Sequence, residues 1–583
     1  MPRMTLGGGF RAARERATFA VLGVLVIIGA GALAAANIDV AGGPMGGDAT
    51  AVAGPPHPAP LTYRGRPPAS LVPLGLTTSA DPATADFEFE WGSPEGVVDR
   101  EFVPVAALGT GVDSLSAGDL QGLIEGRLTN WRDVNGVPGG VTFVVAGPRE
   151  DSDVVGTFTR GARPKQKFES YAALREQMGI FSGMVAFVPL DEVWPGATAI
   201  AIGGVDLVRG KGDPTNWPFT DRVLVRGLTD RGKDLAPRLQ ARIHLTLPKA
   251  TTIVATGDIL LSRCTLARIE AIGDWAAPFR GQVGDYLRGA DLALGSLDGS
   301  IQDIGTPFGC EVTTNLTSPP QVLEALKLAG LDEVTIATNH VFDCGRQPCE
   351  DRAFLRTIDL LKQAGIKPVG GGRNLEEALA PGIFEVNGVK FGVLGFDDVA
   401  AQDLEATATE PGTSPLDDDY KEERAAGEPA FFRPAEELSL TRFSDRIRKL
   451  KREVDVVVVQ VQSGTEDTHD PSPRSIKALR AAADAGADLI VGNQAHWVQA
   501  VETRPAAFIA YALGNLVFDQ VQTAEHGEGY LLEATFWGSH LANVRLVPYR
   551  IVDRHHPEFL GGAPRAKVLG DVFAATRSLP PLK

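Results

Sequence analysis

From residue 250 to about residue 550 the sequence repeats one unit, an uninterrupted apolar run that closes on a polar side chain. The runs read TTIVATGD, DLALGSLD, EVTIATNH, VKFGVLGFD, VDVVVVQVQSG, ADLIVGNQAH and FIAYALGN. Their apolar residues do not alternate with polar ones, so each strand is expected to be covered on both faces. The stretches PPQVLEALKLAG, EDRAFLRTIDLLKQAG and SPRSIKALRAAADAG lie between them, have helical periodicity and end at glycine, the residue that best terminates a helix. Strands alternating with such helices specify an α/β architecture with buried, largely parallel sheets. In such sheets the loops at the strand ends are exposed and rigidly aimed, and chemistry gathers there.

The strand ends carry a consistent set of groups. Asp258 follows Gly257, Asp298 closes the second run, and Asn339-His340 closes the third. Gln462 closes the fifth, Asn493, Gln494 and His496 the sixth, and Asn515 the seventh. A lone Asn-His pair is ordinarily a packed histidine beside a turn-capping amide. Carboxylates, amides and imidazoles recurring at the ends of most strands of one domain point instead to a metal-centred site. Those donor types suit a divalent ion such as Mn, Zn, Fe or Mg.

Length and charge set outer bounds. A chain of 583 residues accommodates about two to four domains. Its net charge of −17 argues against a nucleic-acid partner, which needs basic tracts to neutralise phosphates. At the N-terminus, basic residues 1–16 precede an uncharged run over 17–38. That run is long enough for the ~20 residues of a transmembrane helix and exceeds the ~7–15 of a removed signal. A single-pass anchor is therefore expected, with the bulk of the chain extracytoplasmic. A spacer rich in Pro, Gly and Ala follows over 39–86, then one α/β domain over 87–249 and a second over 250–583. Outside the cytoplasm Cys264, Cys310, Cys344 and Cys349 can oxidise, and sequence leaves three pairings open. Residues 401–440 are acidic and read as a solvated excursion.

Two resemblances add to this reading. SAGDLQGLIEGRLTNWRDVNG, VVAGPREDSDVVGTF and MVAFVPLDEVWPGATAIAIGGVDL resemble the periplasmic phosphate-binding proteins. That family grips a tetrahedral anion at helix N-termini, which implies an anion site at Arg149, Asp151 and Ser152. Only one lobe of the usual two matches, so the expectation leans to a scaffold or interaction module that kept the fold.

The second domain resembles the CapA family of capsule and poly-γ-glutamate synthesis over about 251–578. GDILLSR, the SLD segment, ATNHVFDCG, GGGRNLEEAL, SGTED, GADLIVGNQAHWVQAVE and YALGNLVFDQ fall in the family's order and spacing. The resemblance implies a calcineurin-like metallophosphoesterase sandwich, preceded here by a truncated periplasmic-binding-protein-like domain and a transmembrane helix. It implies Asp258, Asp298 and His496 around a first metal and Asn339 on a second, with Asp298 bridging. His340 would sit beside the reacting group and Arg263 near substrate charge. Two departures stand out, because Gln462 and Gln494 occupy positions where the family has second-metal histidines. One divalent ion is therefore expected. Implied partners are the membrane, an anionic envelope polymer or its synthase components, and phosphate or a similar anion. A weak metal-dependent hydrolase and a non-catalytic scaffold both fit these departures.

Overall fold

The unalternated valine and isoleucine runs become strands sandwiched between other layers. The computed structural model describes residues 60–583, except 69–70, 72–73, 75, 244–246, 312, 401, 419–433 and 583. The expected membrane span over 17–38 lies outside the described residues. Among the described residues no helix is long and apolar enough to cross a membrane.

Residues 60–583 form one compact unit. Its first portion is built on a nine-stranded sheet, in which Val97–Ala107 pairs antiparallel with Met184–Pro189 and Thr220–Gly227. In this sheet β1 (Thr142–Ala146) leads through Gly147-Pro148 into α1 (Arg149–Phe158), the helix whose first turn carries the expected anion site.

The second portion holds two packed sheets. One contains β2 (Ala250–Ile259), β3 (Leu292–Leu297) and β4 (Glu333–Thr335) as parallel neighbours. The other contains β5 (Val389–Asp397), β6 (Val456–Gln462), β7 (Leu489–Asn493) and β8 (Ala507–Ala510), also parallel. Ile253, Ala255 and Leu294 from the first sheet meet Val393, Val458 and Val491 from the second. The opposite faces, through Val254, Ala293 and Val334 or through Leu394, Val457 and Ile490, pack in separate clusters with helix residues such as Leu326, Ile358, Ile447 and Leu479. Each strand thus has two apolar faces to bury, which is why the runs do not alternate. The architecture is the α/β sandwich expected.

The chain crosses between the sheets after β8. It joins the first sheet as β9 (Asn515–Val517), which sets Asn515 opposite Asp258. This crossing passes so close to β2 that a Cβ on Gly257 would lie 1.8 Å from the Gly514 carbonyl oxygen, while Gly514 itself has φ +80°. Both glycines are therefore needed for Asn515 to reach Asp258. Two long strands follow, β10 (Glu528–Trp537) antiparallel to β2, then β11 (His540–Val552).

These last strands also carry the first portion. Ala542 belongs to its apolar core. Buried Arg545 pairs with Asp206, the Ala199 N–H donates to Asn543 Oδ1 at 3.1 Å, and Trp537 Nε1 donates to the Val208 carbonyl at 3.0 Å. The cysteines pair as Cys264–Cys310 and Cys344–Cys349, a choice that spacing alone does not make.

The acidic stretch departs from expectation. Its first part is packed rather than solvated: Ala406, Thr413, Ser414 and Asp417 are buried. Gly412–Thr413 pairs with Gly371–Gly372, and Asp417 accepts from buried Arg474.

Candidate metal centre

Parallel strands place their carboxyl ends together, and hydrogen bonds between the two sheets show that these ends meet. Asp258, at the end of β2, is buried. Its Oδ1 accepts from Ser296 Oγ at 2.9 Å and Gln462 Nε2 at 3.5 Å, and its Oδ2 from the Gln494 N–H at 3.3 Å. Burial raises its pKa and the neighbouring Asp298 charge raises it further, against the lowering by His496, Ser296 and the Gln494 N–H. Asp298, also buried, follows β3 directly, and its backbone N–H donates to the Ile259 carbonyl. The loop after β4 is tied to the same place, since Thr338 Oγ1 donates to the Leu297 carbonyl at 3.1 Å.

His340 is held by its own loop. Nδ1 lies 2.9 Å from Asp343 Oδ2, which also accepts the Leu316 N–H at 2.6 Å. Burial alone would lower the imidazole pKa, but the Asp298 charge, the Asp343 hydrogen bond and charge, and Glu466 carry it up to about 9. These carboxylates favour the protonated form of the His340 ring.

His496 Nδ1 lies 2.8 Å from Asn515 Oδ1 and 3.6 Å from Asp258 Oδ2. Gln494 and His496 have φ of +93° and +58°, a left-handed backbone uncommon for residues with a side chain and concentrated at functional loops.

Gln462 and Gln494 are joined to each other. Gln462 Nε2 donates to Gln494 Oε1 at 2.9 Å, and Gln494 Nε2 donates to Glu466 Oε1 at 3.1 Å. The pair forms a directed amide chain between the Asp258 and Glu466 carboxylates. Where the family resemblance implies metal-bound imidazoles, this chain presents N–H groups. It does not fit a second metal.

One cation is a different matter. Asp298 Oδ1, Asn339 Oδ1 and Gln462 Oε1 are buried with no hydrogen-bond partner. Oxygen acceptors are seldom left so, and a hard cation satisfies such donors. Among the described residues no group of three or more His, Cys, Asp and Glu side chains is arranged to hold a metal. The oxygens left without donors are one carboxylate and two amides, each at a strand end.

The remaining predicted residues are placed as follows. Arg263, with φ +50°, pairs with Asp519 (Nε to Oδ2, 3.2 Å) and donates from Nη1 to the Thr313 carbonyl at 2.7 Å. Arg149 and Asp151 both lie in the first turn of α1 but diverge. The Arg149 side chain is 91% exposed. Asp151 is buried beside Arg66 and Arg100 and accepts from Tyr171 Oη at 2.8 Å, while Ser152 is half-buried. Ser296 and Asp343 were not anticipated. The spacing of Asp343 three residues after His340 on one short loop is the signal that could have found it; Ser296 leaves no such mark.

Comparison with known proteins bears on the family. Residues 252–520 match the family model described as bacterial capsule synthesis protein PGA_cap. The capsule biosynthesis protein CapA of Bacillus anthracis is 29% identical over 272 residues, 46% of this chain and 60% of that protein. The PGA biosynthesis protein CapA of Bacillus subtilis (strain 168) is 29% identical over 265 residues, 45% of this chain and 62% of that one. The chain thus spans about three-fifths of the length of these curated relatives. Among solved structures, an ABC-type phosphate transport receptor from Vibrio cholerae is 16% identical, with a TM-score of 0.24, over 30% of this chain and 76% of its own. A 5'-nucleotidase from Candida albicans SC5314 is 11% identical, with a TM-score of 0.26, over 56% of this chain and 58% of its own. Superpositions this loose carry no argument. The family match and the curated relatives do, and over residues 252–520 this chain resembles the CapA family of capsule and poly-γ-glutamate synthesis.

Proposed function

We propose that this chain is a membrane-anchored, extracytoplasmic CapA-like protein of capsule or poly-γ-glutamate-type polymer synthesis, with metal-assisted hydrolase or acyl-transfer activity at one divalent ion. The observation that carries the reading is three buried strand-end oxygens without hydrogen-bond donors, Asp298 Oδ1, Asn339 Oδ1 and Gln462 Oε1, with Gln462 and His496 both reaching Asp258. Asp258, Asp298, Asn339 and His496 would hold the ion, with Gln462 a weak donor and Gln494 a poorer one, its amide oxygen already taken by Gln462. Mn, Zn, Fe or Mg would serve, as a Lewis acid that polarises an amide or phosphoester or activates water. Asp343 fixes the His340 ring through Nδ1, so Nε2 is the nitrogen left to protonate a leaving group. Arg263 is held by Asp519 and Thr313, so its charge is already paired and it serves this reading by fixing the loop after β2 rather than by meeting substrate charge.

Elemental analysis of the purified chain tests this directly. About one divalent ion per chain is expected, and Asp258→Ala should empty the site. An ion-free protein at every pH, with function intact in Asp258→Ala, would sink the enzyme reading.

A second reading is favoured by the amide chain and by the first portion. There Arg66 and Arg100 are already paired with Asp151 and Asp221. A degenerate centre beside a one-lobed anion module suits a scaffold that holds polymer or synthase partners at the membrane. Phosphate titration by calorimetry tests the module, and binding that survives both Arg149→Ala and Ser152→Ala would place the anion elsewhere.

A further inference from the structure

The chain has a net charge of −17, yet residues 159–168 hold Arg160, Arg163, Lys165 and Lys167 and no acid. All four cations are exposed. Among the described residues none of their side chains forms an ion pair. Local structure accounts for part of this. Arg160 follows the C-terminus of α1, where a cation complements the helix dipole. Lys167 lies on Gln166–Phe168, the edge strand of its sheet, where lysine deters pairing with other chains. Neither reason covers Arg163, and Lys165 stands before the strand begins.

Arg163 and Lys165 line a cleft of about 360 Å³. Leu128, Val141 and Phe143 give it apolar surface, and Glu125 is the one acid in its lining. That carboxylate is taken, accepting from Gln121 Nε2 at 2.8 Å and from Arg127 Nε at 2.7 Å. The Arg160 charge acts on it as well. The charge left uncompensated at the cleft is therefore positive.

Its walls are fastened through the backbone. The Lys165 N–H donates to the Phe143 carbonyl at 2.9 Å, the Val141 N–H to the Thr129 carbonyl at 3.0 Å, and the Leu128 N–H to the Gly122 carbonyl at 3.0 Å. Arg160 and Gly161 take φ of +52° and +75°, and the Gly161 N–H closes the turn on the Gly156 carbonyl at 3.0 Å. The cations thus stand on a formed turn beside a formed cleft.

Unpaired guanidinium and ammonium groups next to apolar surface match an anion that has apolar parts. A polymer whose carboxylates are separated by methylene groups meets both demands, with carboxylates on Arg163 and Lys165 and methylenes on Leu128, Val141 and Phe143. A lipid surface fits less well, because a face that docks on a membrane adds exposed large apolar side chains to its cations. Among the described residues, none of the exposed large apolar side chains lies between residues 117 and 170.

We propose that this cleft is a holding site for an anionic polycarboxylate chain, gripped by Arg163 and Lys165, with Arg160 and Lys167 extending the charge. It lies outside residues 252–520 and at the opposite end of α1 from Arg149. It is therefore separate from the strand-end centre and from the anion site expected at the helix N-terminus. The proposal rests on the polymer-synthesis reading above and gives the first portion a part in it, retaining the chain on which the centre acts.

Fluorescence anisotropy of a fluorescein-labelled γ-linked oligoglutamate, titrated with the full chain, tests it. Binding should weaken as salt rises. Arg163→Glu and Lys165→Glu should each raise the dissociation constant at least about tenfold. Arg238→Glu, the same change in net charge at an exposed helix end, should leave it unchanged. Equal losses at all three positions would mean that net charge alone matters, and would overturn the site. A native chain that binds no oligoglutamate would overturn it too, and capture instead by vesicles containing phosphatidylglycerol would identify a lipid surface. Binding lost in Asp258→Ala but kept in both cleft variants would place the polymer at the strand-end centre alone. Elemental analysis of the cleft variants reads the metal centre independently, so failure of the cleft leaves that reading standing. Circular dichroism of each variant establishes that the fold is kept.

Discussion

Arg474 is the buried charge on which the packing of the acidic stretch depends. Its side chain is 4% exposed, between Asp398 and Asp417 at 0% each. Nε reaches Asp398 Oδ1 and Oδ2 at 3.0 and 2.9 Å, and Nη2 reaches Asp398 Oδ1 and Asp417 Oδ2, both at 2.8 Å. Arg474→Met keeps much of the volume and strands two carboxylates in the interior. Removing one partner of a buried ion pair costs about 3–5 kcal/mol, and the loss should depend on pH. Burial already raises the Asp398 pKa, with Arg474 opposing it; without the guanidinium that folded-state value climbs further above the unfolded one. An acid whose folded pKa is raised binds more protons folded than unfolded, so stability recovers as pH falls. Urea unfolding followed by far-UV circular dichroism should show the full deficit at pH 8 and a smaller one at pH 5.5. Adding Asp398→Asn and Asp417→Asn should restore more than half of it. A deficit under about 1 kcal/mol, or one equal at both pH values with no rescue, would refute the assignment of Arg474 as the counter-charge that keeps this region packed.

Three further outcomes are expected. Burial pushes the Glu101 carboxyl up to about 7, with Oε2 lacking a hydrogen-bond partner. Stability should therefore fall by up to roughly 3 kcal/mol as pH rises from about 4.5 to 7, and Glu101→Gln should flatten that slope in denaturation midpoints. The disulfides should differ, because Cys264–Cys310 closes a separation of 46 residues and Cys344–Cys349 one of 5. Loop entropy gives about 4 and about 2 kcal/mol, so paired serine substitutions measured by chemical denaturation should rank in that order, and the reverse order would contradict it. Gln494→His should raise the bound divalent ion from about one toward two per chain by elemental analysis; unchanged content would mean that the second position is lost for another reason.

What sequence conveyed here follows from what each signal encodes. Strands covered on both faces must be apolar throughout, so β2, β3, β5, β6 and β7 could be placed from valine and isoleucine alone. Their polar terminators could be gathered into one site because parallel strands end together. Groups that act from loops left weaker marks. Asp343 and Ser296 hold His340 and Asp258 by hydrogen bonds that depend on where loops return. The acidic stretch misled because burial is read from hydropathy, whereas Asp417 is buried through Arg474, a residue far along the chain. The glutamines show the same limit in reverse. Their identity at 462 and 494 revealed that histidine was missing, but only the structure shows that they are bonded to each other and point an N–H at Glu466. A substitution that reads as loss of a ligand is, in three dimensions, a rewired charge path. It ends on the Glu466 carboxylate, 4.0 Å from His496 Nε2.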